Sequence, residues 1–318
     1  SKIDPKIIYA LRDPEVKQNY INKVSPERSG PEILKMIDGA NPSKALRVLF
    51  DTGLDTAVFW TGQRETMKPL TMDQNNAHHK FNLLDHTLKV VENVEKICKE
   101  KNIDKDDRNS LLLASIFHDW GKAHPEIGAP KKSDPTQTSY VGHEMKSSDI
   151  SEEILKRIGV PENKRKIVNT IIYQHMRPHT DKWSNKSIGK FLKDTTIPGI
   201  EKDNIWKLIM IHAQADTMSK SHEGDQQDYD LKEKHIEEMN NYKNNPSIKN
   251  KPIINGNEIA KIFPELLPKS GFIKYVLERL MEEQYAGNIT DNNEAIIFVN
   301  SIKQEVLDKF SDKNKPDH

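Results

Sequence analysis

Apolar positions along this chain recur at helical rather than strand spacing. In "NPSKALRVLFDTGL", "FNLLDHTLKVVENV" and "SGFIKYVLERLMEEQYAG" they fall three and four residues apart, which gathers them on one face of a helix. Strand-type alternation is nearly absent, so the predicted fold class is all-α. Helix punctuation is frequent. Ser25-Pro26 and Asn41-Pro42 each put a capping residue before a first-turn proline, and "SGPE" at Ser29 to Glu32 fits a capping box. Gly53 follows the helix that opens at Asn41, the usual left-handed position past a C-terminus.

Three blocks follow from this pattern. Residues 1–71 form an N-terminal helical module. Residues 72–224 hold most of the chain's 12 histidines. Residues 225–318 open with the polar stretch "DQQDYDLKEKHIEEMNNYKNNPSIKNKP", read as an exposed helix and a linker, and continue as a C-terminal helical module whose last helix covers "DNNEAIIFVNSIKQEVLDKF". No internal repeat is present.

One segment departs from the one-faced pattern. "LLLASIFHDWGKAHPE" is apolar most of the way round a helix and then stops on His118, Asp119 and Lys122. Such a helix is expected to be buried, which carries His118 and Asp119 into the interior. A buried charge needs a partner, and a metal ion is one candidate. His86, His143, His175 and Asp216 also stand among apolar residues at helical spacing. A shared metal would satisfy them together where each would otherwise need its own polar partner.

Composition narrows the chemistry. Lys and Arg (48) balance Asp and Glu (48), so no overall charge marks the chain for nucleic acid. Cys98 is the only cysteine, which excludes a disulfide framework and a thiolate zinc site and favours a reducing compartment. The stretch "SKIDPKIIYA" reads as too polar for a signal peptide, and no apolar run approaches a membrane span. The expectation is a soluble, cytoplasmic protein with no membrane partner. There is no P-loop and no dinucleotide fingerprint.

Imidazoles and carboxylates without thiolates suit one or two divalent ions from among Mn, Fe, Ni, Co and Zn. A carboxylate can bridge two metals through its two oxygens. His86, His118, Asp119 and Asp216 are therefore assigned to one metal, with Asp119 bridging to a second held by His143 and His175. Lys122, one turn past His118, would neutralise a phosphate oxygen, which makes Asp119 and Lys122 the catalytic candidates. His79, beside His78, and His124, His179 and His212 are candidates for touching substrate.

The order His86, His118-Asp119, His143, His175, Asp216, with "HDWGK" at its centre, resembles the HD superfamily of metal-dependent phosphohydrolases. Met176 stands where many two-metal members carry a further histidine. The resemblance implies a helical fold and hydrolysis of phosphate esters, commonly on nucleotides or RNA ends. The flanks "KVSPERSGPEILKMIDGANPSKALRVLFDTGL" and "PIINGNEIAKIFPELLPKSGFIKYVLERLMEEQYAGNITDNNEA" are similar to the regions around the HD domain in CCA-adding tRNA nucleotidyltransferases. The head of that family carries a Gly-Ser loop followed by paired aspartates, which this sequence lacks. "IDKDD" at Ile103 to Asp107 has no preceding Gly-Ser and reads as a solvated turn. The chain by itself is thus expected not to polymerise nucleotides.

The expectation is an HD-type phosphohydrolase, a phosphodiesterase acting through a metal-bound hydroxide on a nucleotide or on a cyclic or terminal phosphate of RNA. One alternative is a tRNA- or RNA-binding module or subunit with a vestigial HD site. Another is a hydrolase of a signalling cyclic nucleotide.

Overall fold

The computed structural model describes residues 3–60, 67–75, 81–179, 182–200, 204–220, 225–245, 248, 251–268 and 271–311. Its elements are helical apart from a two-residue antiparallel pair, β1 (Ala129–Pro130) and β2 (Thr138–Ser139). The fold is all-α. Two compact units divide the chain, Ser1–His179 with Thr195–Glu233, and Thr180–Asp194 with Lys234–His318. Among the described residues no helix is long and apolar enough to cross a membrane.

The first unit begins with α1 (Pro5–Arg12), α2 (Pro14–Lys23), α3 (Pro26–Ile37), α4 (Pro42–Asp51) and α5 (Asp55–Phe59). Ser25 and Asn41 are the residues before α3 and α4, each followed by proline, although neither side chain makes a capping hydrogen bond. Gly53 has the left-handed backbone expected of it, φ 69°. The expected capping box at Ser29 does not form. Helix α3 runs straight through it with Pro31 inside. Buried Ser29 instead shares a 2.7 Å hydrogen bond with the Tyr20 hydroxyl.

The bundle proper consists of α6 (Leu83–Glu100), α7 (Lys105–Phe117), α8 (His143–Arg157), α9 (Glu162–Gln174) and α11 (Ile205–Met218). Helices α6 and α9 each pack on α7 and α11, which also pack on each other, and α8 packs on α9. Every residue of α7 from Asn109 to Phe117 is buried, and so is every residue of α11 from Leu208 to Thr217. The all-round apolar character of "LLLASIF" therefore marks a central helix, as its pattern predicts. The "IDKDD" segment is more than a solvated turn. Asp104 caps α7 by accepting from the amides of Asp106 and Asp107, and Asp107 is itself buried.

The second unit contains α10 (Asn185–Asp194), α13 (Gly256–Ile262), α14 (Gly271–Ala286), α15 (Asn292–Ser301) and α16 (Lys303–Phe310). Its core is apolar, built on Phe263, Phe272, Val276, Leu280, Val299 and Val306. The expected single last helix is two, because the chain breaks at Ile302 between α15 and α16. Helix α12 (Asp225–Asn244) spans the division between the units. It is not the exposed helix that its polar composition suggests, since Lys232, His235, Met239 and Tyr242 are buried along it.

Candidate metal centre

Helix ends carry the candidate ligands. His86 lies in the first turn of α6, whose cap Asn82 accepts from the Asp85 amide. His118 is the C-terminal cap of α7, and His175 that of α9. His143 opens α8 immediately after Gly142, which takes the left-handed φ of 83° that turns the chain into the helix. Asp119 follows His118 at the start of a 3₁₀ turn, Trp120–Ala123.

That turn is fixed by packing. Trp120 is fully buried, stacked on Trp60 at 5.0 Å between centroids and meeting Phe117 edge-on at 4.7 Å. Gly121 presses against α8: a Cβ there would lie 2.2 Å from the His143 carbonyl oxygen. Its amide donates to Ser147 Oγ at 2.8 Å. The glycine of "HDWGK" thus lets Asp119 and His143 approach.

The carboxylate of Asp119 is the hub. Its Oδ2 lies 3.3 Å from both His86 Nε2 and His118 Nε2, and its Oδ1 lies 3.1 Å from His143 Nε2 and 3.8 Å from His175 Nε2. Asp216 Oδ1 joins the first group, 3.0 Å from His86 Nε2 and 4.0 Å from His118 Nε2. All six residues are buried. The two sets, His86-His118-Asp119 and Asp119-His143-His175, each bring their ligand atoms within a metal's reach.

The far side of each ring explains this orientation. His118 Nδ1 donates to the Ser115 carbonyl at 2.9 Å, His143 Nδ1 to Tyr140 at 2.7 Å, and His175 Nδ1 to Ile172 at 2.6 Å. His86 Nδ1 donates to Ser219 Oγ at 2.9 Å, because that hydroxyl's own hydrogen goes to the Asp216 carbonyl at 2.6 Å. With Nδ1–H committed outward, a neutral ring keeps its Nε2 lone pair for the interior. His143 Nε2 and His175 Nε2 then face each other 3.3 Å apart. Two lone pairs at that distance repel, and a cation bound to both removes the repulsion. The donor set fits one or two divalent ions.

Charge is distributed accordingly. Burial works against the Asp119 carboxylate, but Lys122 and His118 hold its pKa well below the usual range. Burial likewise opposes Asp216, and Lys220, His179 and His86 keep it low. Burial lowers the His175 pKa far below that of a free imidazole, and His143 and His118 add to the effect. For His86 burial is outweighed by Asp119 and Asp216, which raise it.

Of the other sequence candidates, Lys122 is at the centre. Its ammonium donates to Asp119 Oδ2 at 2.8 Å and to Gln74 Oε1 at 3.0 Å. His179 Nε2 lies 3.1 Å from Asp216 Oδ2. His212 packs its ring 5.0 Å from that of His118, fully buried, with its pKa lowered to about 3 by burial and then by His118. It is a wall of the site rather than a group that reaches outward. His124 has a local partner, its Nδ1 accepting from the Glu126 amide at 3.3 Å. His79 lies outside the described residues, as does His78. Sequence reading missed Gln74, Ser219 and Lys220. Lys220 follows Asp216 by one helical turn, a spacing that could have signalled it. Gln74 sits in an irregular segment without periodicity.

Residues 2–59 match the family described as "Probable RNA and SrmB- binding site of polymerase A". The mitochondrial CCA tRNA nucleotidyltransferase of Candida glabrata is 26% identical over 174 residues, 49% of this chain and 33% of that protein. The tRNA nucleotidyltransferase cca2 of Schizosaccharomyces pombe is 48% identical over 50 residues, 16% of this chain and 10% of that protein. The chain thus spans a third or less of the length of these relatives. The HD domain model matches residues 83–243, just over half of the chain and all of the cluster built around Asp119, and the chain belongs to the HD domain family.

Proposed function

We propose that this chain is a metal-dependent phosphohydrolase that cleaves a phosphate ester of a nucleotide or of an RNA end, with phosphodiesters, cyclic ones included, as its preferred class. The observation that carries this reading is the Asp119 carboxylate, one oxygen turned to His86 and His118 and the other to His143 and His175. One or two divalent ions held there would acidify a water and neutralise charge on phosphorus. Manganese, iron, nickel, cobalt and zinc all suit such a donor set.

The chain's own groups have definite parts. The four imidazoles are locked by their Nδ1 hydrogen bonds, so the site needs little rearrangement to hold an ion. Lys122, nearly buried, supplies a fixed positive charge beside Asp119. In so sheltered a position that charge is weakly screened and can stabilise the negative charge that builds on a phosphoryl oxygen. Trp120 and the buried stretch of α7 from Asn109 to Phe117 keep water from the cluster on that side.

A second reading, an RNA-binding subunit, is favoured by the match of residues 2–59 and by the tRNA nucleotidyltransferase relatives. The two can coexist, with RNA as the bearer of the ester. A panel of 2′,3′-cyclic, 3′,5′-cyclic and linear phosphates, offered to protein loaded in turn with each metal, separates them. Hydrolysis of one class, abolished by chelator and restored by metal, supports the hydrolase. RNA binding with no ester cleaved under any metal leaves the binding role alone.

A further inference from the structure

Two carboxylates and two ammonium groups share the centre. Lys122 Nζ lies 2.8 Å from Asp119 Oδ2, and Lys220 Nζ lies 3.0 Å from Asp216 Oδ2. The aspartates are therefore already balanced by lysines before any metal is counted. Each divalent ion held by the imidazoles then brings positive charge that Asp119 and Asp216, each already paired with a lysine, do not offset. A largely buried site keeps such a charge only with an anion beside it.

Asp216 indicates where that anion enters. Its Oδ1 meets His86 and His118, which are almost wholly buried, whereas its Oδ2 meets His179 and Lys220, whose side chains are 17% and 20% exposed. His179 and Lys220 thus stand between the ligand cluster and solvent. Lys220 lies past the end of α11, beyond its cap residue Ser219, and its ammonium is placed by the ion pair with Asp216. Once the negative charge of Asp216 is shared with a metal, that pairing weakens and the ammonium can turn to an incoming anion.

We propose that Lys220, with His179 beside it, forms a phosphate subsite on the solvent side of Asp216 that receives a non-bridging oxygen of the substrate. The inference rests on the phosphohydrolase reading of the same centre and adds to it the group that holds the phosphate. Lys122, buried beside Asp119, and Lys220, at the rim beside Asp216, then flank the phosphate. An ammonium offers three donors and a compact charge, which suits a tetrahedral oxyanion that arrives from water.

The test is calorimetric titration of inorganic phosphate into the full chain loaded with manganese, with metal content measured on the same samples. Wild type should bind phosphate. Lys220→Met should weaken it by about tenfold or more, the usual scale for a lost charge-assisted hydrogen bond, with metal content unchanged. Lys220→Arg should recover most of the affinity. His179→Asn, as a second variant, should weaken binding in the same direction. Undiminished phosphate affinity in Lys220→Met overturns the subsite, and so does a wild type that binds no phosphate. Loss of metal in Lys220→Met also overturns it, because Lys220 would then act only by positioning Asp216. Ester hydrolysis by wild type is scored separately. A protein that binds phosphate through Lys220 but cleaves no ester keeps the subsite and loses the hydrolase reading.

Discussion

The two units bury polar groups in different ways. In the C-terminal unit the core is a continuous apolar cluster, and buried Gln284 has ordinary partners, donating to the Lys251 carbonyl at 3.0 Å and accepting from the Ile253 amide at 3.1 Å. In the HD unit the inward nitrogens of His118, His143 and His175 face a carboxylate or one another instead of backbone groups. Folding alone favours the first arrangement, since buried polar groups cost free energy unless they are hydrogen-bonded. The second arrangement leaves ligand atoms that a cation could take up, so the contrast separates a core that satisfies its own polar groups from one that could hold an ion.

The largest effect should come from the hub. Asp119→Ala should remove phosphate-ester hydrolysis by at least about a hundredfold, since even the outer partners of metal ligands cost ten- to a hundredfold. Helical circular dichroism should stay close to wild type. Activity retained in this variant would falsify the role given to Asp119.

The apolar unit should respond in the opposite sense. Phe272 is fully buried in its core, so Phe272→Ala should cost about 3–5 kcal/mol in stability by leaving a cavity. Metal content per folded chain should not change. Loss of metal in this variant would mean that the two kinds of core are not separable.

Gly121→Ala tests how the centre is braced. The new methyl would strike the His143 carbonyl and the Ser147 backbone amide. Overpacking of that kind costs about 1–3 kcal/mol. Here the shift also pushes Asp119 away from His143, so metal affinity should fall along with melting temperature. A variant that is destabilised yet holds metal as wild type does would show that the close approach serves packing alone.

Much of this was legible beforehand. The all-round apolar run before His118 marks a buried helix, and its abrupt end at "HDWGK" identifies where the polar groups must enter. His86, His143, His175 and Asp216 could be tied to it because each sits at helical spacing among apolar residues. What stayed hidden depends on contacts distant in sequence or on loops. Gln74 reaches Lys122 from an irregular segment, and Ser219 fixes His86 from another helix's end. The polar composition of α12 concealed a buried face because Lys232 and His235 are hydrophilic types that nonetheless lie inside. "SGPE" misled because a proline within a helix can be tolerated when the helix is held by tertiary contacts, as Gly30 against Ile158 holds α3.

The smallest effect concerns Cys98, in the same unit as the candidate metal centre but on the buried face near the C-terminal end of α6. Burial, and after it Glu95, raises its thiol pKa to about 12. Between pH 7 and 9 the native protein should therefore react with iodoacetamide far more slowly than the same protein in denaturant, as followed by mass spectrometry. Equal rates would place Cys98 outside the core.

The measurement that bears most directly on the shared carboxylate is anomalous diffraction from crystals grown with manganese. The expected map has a peak bound by Asp119, His86, His118 and Asp216. At high manganese it should show a second peak bound by Asp119, His143 and His175, with Asp119 bridging the two. A map with no anomalous density at Asp119, or with manganese held elsewhere while these imidazoles keep their distances, would contradict the metal centre.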